Sequence, residues 1–108
     1  MDAVTSIVQN IEKEVPALAK TCLGEFLDQA SQSVKSLISS NTDKIRGWLS
    51  QLTAGKLSKE DFNFLLQSEF DLSAMESLKE MGIGEIQLEK FRNGVIGLVE
   101  NAILSAIP

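Results

Sequence analysis

Apolar residues recur along this chain at every third or fourth position, and the period-2 alternation that marks strands is nearly absent. That spacing predicts helices alone. A first helix is expected from Asp2, whose carboxylate can accept the free amide protons of the first turn, with Val4, Ile7, Val8 and Ile11 on one face. It is expected to end near Val15, because Pro16 disfavours helical geometry in the residue before it and suits the first turn of a new helix. A second stripe, Leu23, Phe26, Leu27, Ala30, Val34, Leu37 and Ile38, keeps its phase through Ile45, Trp48, Leu49 and Leu52. Between them, Ser39-Ser40-Asn41-Thr42 is either a connection capped at Ser40 or the polar middle of one long helix. A break is favoured, since Ser and Asn side chains compete with the helix for backbone hydrogen bonds. Gly55 then closes the segment as a left-handed cap.

The next start is the clearest local signal: Ser58 as cap, Asp61 at the third helical position, and Leu57 able to staple onto Phe62. That helix is expected to carry Phe62, Leu65 and Leu66. Ser73 with Glu76 makes a capping-box pattern for a short helix bearing Met75 and Leu78, which Gly82 terminates, and Gly84 supplies a second pivot. The last helix, from about Glu85, places Leu88, Phe91, Val95, Leu98, Val99, Ala102 and Ile103 on one face, with Ile96, Leu104 and Ile107 outside it. A helix apolar on most sides is central, covered by a partner or in contact with lipid. The expected fold is an all-α single compact helical bundle, residues 1–108, of about five helices. These are two longer N-terminal helices or one broken long helix, two short helices, and one long apolar C-terminal helix.

Composition narrows the functional classes. The chain has 108 residues with a net charge of −5, and its basic residues are scattered, five up to Gly55 and five beyond it. Nucleic-acid binding draws on clustered Lys and Arg, so it is not expected. No span of the membrane is expected either: Val95 to Pro108 is too short and is broken by Glu100 and Asn101. No secretory signal is legible at Met1 to Asn10, and a single cysteine fits a reducing compartment, so a cytoplasmic location is expected.

Catalysis is not expected. With no His and no Tyr, acid-base work would fall on shifted carboxylates or lysines, and a Ser-His or Cys-His pair is impossible. Cys22 stands at helical spacing between Leu18 and Phe26 and reads as a packing thiol. Ala54-Gly55-Lys56-Leu57-Ser58 superficially resembles a phosphate-binding loop, but Ser50 stands where the first glycine belongs and Leu57 follows the lysine, so a helix-ending turn is the better reading. The carboxylates Glu69, Asp71, Glu76, Glu80 and Glu85 match neither a calcium loop nor a di-iron pattern, and they read as a solvated acidic face. No metal and no cofactor is expected. Trp48 reads as core, and Phe62, Phe64 and Phe70 are not expected to face inward together.

Gly94 and Gly97 stand out inside the last helix, since each costs about 1 kcal/mol relative to Ala. They imply either a tight helix crossing, within the fold or between subunits, or a local kink. Leu78-Lys79-Glu80-Met81-Gly82-Ile83-Gly84, with the helix bearing Phe91 and Val95 after it, resembles the closing part of sterile alpha motif interaction domains. The likeness is one helix, one glycine turn and one helix, and it implies no activity or site residue. The expected function is a non-catalytic interaction or structural protein that self-associates or docks a protein partner through the last helix, with Gly94, Ile96, Gly97, Leu104 and Ile107 at the interface. Two alternatives are a carrier holding a lipid or other apolar ligand between helices, and a membrane-active protein that releases its last helix into a bilayer.

Overall fold

A computed structural model describes residues 3–71 and 75–107, and every described regular element is helical. Helix α1 runs from Ala3 to Leu23 and buries Val4, Ile7, Ile11, Val15, Ala19 and Leu23 along one side. The expected end at Val15 is not found: Pro16 lies inside α1. Val15 and Ala19, one residue before and three after the proline, are both fully buried, so tertiary packing holds the helix through the missing backbone donor. The interruption falls instead at Gly24, whose φ of +49° suits glycine and opens a 3₁₀ turn, Gly24–Phe26. The Asp2 cap lies outside the described residues.

Helix α2, Leu27–Ser40, and helix α3, Thr42–Thr53, are separated by a single residue. The expected break is present but shorter than four residues, and Asn41, not Ser40, occupies the cap position. Asn41 is buried and its Nδ2 donates to the Leu37 carbonyl at 2.8 Å, while Thr42 Oγ1 donates to Ser39 O at 3.0 Å. Side chains thus satisfy the carbonyls that the interrupted ladder leaves over. At the end of α3, Gly55 has φ +74°, its N–H reaches Leu52 O at 3.1 Å, and Lys56 N–H reaches Gln51 O at 2.9 Å. This pair is a Schellman closure.

Helix α4, Lys59–Glu69, starts as its sequence predicts, with Ser58 Oγ accepting from Asp61 N–H at 3.1 Å. Helix α5 is short, Glu76–Glu80, with Met75 and Leu78 buried, and Gly82 closes it. The Ser73 end of its expected capping box lies outside the described residues. Helix α6, Glu85–Ser105, buries Leu88, Phe91, Val95, Ile96, Val99 and Ile103.

The two long helices, α1 and α6, form the most extensive contact and run antiparallel, as Leu18 lies at Gly94 and Ile11 near Leu98 and Ala102. Helix α2 covers another side of α1, and α3, α4 and α5 pack on α6. One hydrophobic cluster joins all six helices. Trp48 and Phe62 meet edge to face in it, with ring centroids 5.9 Å apart. Phe62 and Phe70 are fully buried and Phe64 is 68% exposed.

Candidate interaction surface

The apolar excess of the C-terminal helix divides into a part that the fold uses and a part that it leaves outside. On the α1 side, Gly94 meets Leu18 so closely that a Cβ built there would lie 2.6 Å from Leu18 Cδ1. The tight crossing that glycine implied is therefore present, and it is inside the chain. On the α4 side, Ile96 is only 6% exposed. The same seam is fixed by polar contacts: Asn63 Nδ2 donates to Glu100 Oε2 at 2.7 Å, and Arg92 donates from Nε to Phe70 O at 2.6 Å and from Nη2 to Gln67 O at 3.1 Å. These Arg92 bonds cap the C-terminal carbonyls of α4, where a cation is favoured.

With α1 and α4 on its flanks, α6 keeps one long strip facing out. Gly97 lies there, with nothing within 4 Å of where its Cβ would be. Leu104 and Ile107 are half-buried, and Ile86, near the start of the helix, is 74% exposed. Of the five residues expected at an interface, Gly94 and Ile96 thus make their contacts within the chain, whereas Gly97, Leu104 and Ile107 keep accessible surface. Phe64, which follows Asn63 on α4, is also exposed. Sequence reading did not single out Phe64 or Ile86, although one aromatic of three was expected to face out.

No family model, curated protein or solved structure matches this chain. Its surface must speak through its own chemistry. Two open grooves flank the helices. One, about 310 Å³ between α1 and α6, is lined by Ile11, Leu98 and Ala102 together with Asn10, Glu14, Asn101 and Ser105. The other, about 520 Å³ between α2 and α5, is lined by Ser and Gln side chains, and Ser33 Oγ stands 3.5 Å from Ser77 Oγ across it. The latter carries no charged group and a single apolar one, Leu37. Its spacing at positions 29, 32, 33, 36 and 40 is legible as a polar helix face, but the sequence does not reveal that α5 stands opposite.

The chemistry-bearing residues are dispersed. Cys22 is half-buried against the core. Among the described residues, no group of three or more His, Cys, Asp or Glu side chains is placed to hold a metal ion. Of the acidic residues in the C-terminal half, Glu69 pairs with Lys44 at 2.7 Å across α4 and α3. No described helix is long and apolar enough to cross a membrane.

Proposed function

We propose that this protein is a non-catalytic interaction module that works by binding another polypeptide along the outward strip of α6, with Gly97, Leu104 and Ile107 as contacts. The single observation that carries this reading is Gly97. A glycine in the interior of a long helix costs about 1 kcal/mol relative to Ala, and here open space stands where its side chain would be. A site with no side chain, with Asn93 and Glu100 one turn away on either side, suits the close approach of a helix from another molecule. The lack of His and Tyr in the sequence supports a non-catalytic role, and the single cysteine suits a cytoplasmic setting. The carrier alternative draws no support from the two grooves described, which are open with polar or mixed linings, unlike the enclosed apolar cavity such a ligand needs.

The test is photo-crosslinking in cells from a benzophenone amino acid placed at position 97 or 104, with exposed position 35 on α2 as control. Covalent polypeptide adducts from 97 and 104 but not from 35 are expected. Adducts from position 35 alone, or none from any position, would overturn the reading.

A further inference from the structure

The outward strip of α6 is more regular than its apolar residues alone suggest. Ile86, Lys90, Asn93, Gly97, Glu100 and Leu104 follow one another at steps of four, three, four, three and four. This is the 3.5-residue spacing at which one helix meets another, here with apolar residues at its two ends and polar residues and glycine between them. Along it Ile86, Lys90 and Asn93 are exposed and Gly97 and Leu104 are half-buried, while half-buried Glu100 stands at its α4 edge, where it accepts from Asn63. Lys90 makes no ion pair with any other described residue, and the bond that Glu100 receives comes from the neutral Asn63 amide. Among the described residues, neither charge has a partner of opposite charge.

From this pattern we infer that the occupant of the strip is a second copy of the same chain, its α6 laid antiparallel across a two-fold axis at the level of Val95. This assignment rests on the reading of the strip as the contact surface and names its partner. In that register Ile86 of each copy meets Leu104 of the other, Lys90 meets Glu100, and Asn93 meets Gly97. Every pairing occurs twice, as an isologous interface requires. Charge selects the direction, since a parallel arrangement would set Lys90 against Lys90 and Glu100 against Glu100. The glycine lies at the centre, where two helices crossing through a two-fold approach most closely, and the asparagine opposite it is the kind of polar seam residue that fixes register. The paired length, from residue 86 to 104, is about 27 Å at 1.5 Å per residue.

The experiment is sedimentation equilibrium of the full chain over a wide concentration range, with three kinds of variant. The unaltered protein is expected to reach twice the 11.8 kDa chain mass. Lys90→Glu and Glu100→Lys should each weaken association by about tenfold or more, because each replaces two opposite-charge contacts with two like-charge ones. The double exchange Lys90→Glu with Glu100→Lys should recover the dimer. Gly97→Gln should give a folded monomer, since nothing in the chain occupies that space. A double exchange that associates no better than the single variants overturns the register. A wild-type chain that stays monomeric throughout overturns self-pairing; if crosslinks from 97 and 104 to a different polypeptide persist in that case, the contact surface itself stands, and if they vanish too, both readings fall.

Discussion

Replacing Gly94 and Gly97 separately with alanine sets two forces against each other at two sites on one helix. At either position the methyl group removes the conformational disadvantage of glycine in a helix, a gain of about 1 kcal/mol. At Gly97 nothing opposes that gain, because open space receives the methyl. At Gly94 the same methyl would lie 2.6 Å from Leu18 Cδ1, 2.8 Å from Cδ2 and 3.2 Å from Cγ. Carbon atoms in comfortable contact stand about 3.5–4.0 Å apart. All three crowded atoms belong to one isobutyl group, so turning one methyl away does not free the other. Relief needs a new χ1 rotamer, or a wider gap between α1 and α6 that would loosen the most extensive contact in the fold. Overpacking of this kind costs about 1–3 kcal/mol. Leu18 is half-buried and can swing partly toward solvent, which puts the cost near the middle of that range.

The expected outcome is that Gly97→Ala stabilises by about 1 kcal/mol and Gly94→Ala destabilises by about 1 kcal/mol, a separation of about 2 kcal/mol. In a domain of this size that corresponds to roughly 8–16 °C in Tm. Urea unfolding followed by the fluorescence of Trp48, which is 7% exposed and in contact with Phe62, reads the difference directly. Low protein concentration keeps association from contributing. A double-mutant cycle isolates the cause: Leu18→Ala should cost about 1 kcal/mol less in the Gly94→Ala background than in the wild type. Equal stabilisation by both alanines, or strict additivity with Leu18→Ala, would refute the close approach of the two long helices.

Three other substitutions test the frame around the strip by the shift in urea midpoint. Arg92→Ala removes two charge-assisted bonds to Phe70 O and Gln67 O and should cost about 1.5–3 kcal/mol, with Arg92→Lys recovering only part of it. Pro16→Ala restores a backbone donor inside α1 and should raise stability by about 1–3 kcal/mol; no gain would mean that the helix is already bent to suit the ring. Ser58→Ala deletes the bond to Asp61 N–H and should cost about 1 kcal/mol, whereas Ser58→Asp should leave stability nearly unchanged.

What the sequence made legible was local. The caps at Ser58 and Gly55, the end of α5 at Gly82 and the start of α6 near Glu85 all follow from side-chain chemistry or glycine geometry within a few residues. Pro16 and Gly24 show where local rules lose. Proline is the stronger helix breaker by intrinsic preference, yet buried neighbours on both sides keep α1 intact, and the glycine eight residues later takes the turn. Ile96 was placed outside the buried face because a single stripe serves one neighbour. With α1 and α4 on different sides, the buried arc of α6 is wider, and Ile96 falls within it. The same limit applied to the glycines: spacing announced a close crossing but could not name Leu18, far away in sequence, as the residue that fills it.

Gly94 and Gly97 look equivalent in sequence and are opposites in the fold. The cost of Gly94 is offset inside the chain, where its missing side chain lets α1 and α6 come together against Leu18. No described contact offsets the cost of Gly97, because among the described residues nothing stands within 4 Å of its would-be Cβ. Among the described residues, Lys90 beside it makes no ion pair, and Glu100 accepts from the Asn63 amide. A surface helix freed of outside demands would gain from Ala at 97 and from charges that pair along its own length. Lys90, Gly97 and Glu100 share one seam, and in the proposed dimer an antiparallel copy of that seam would meet all three at once.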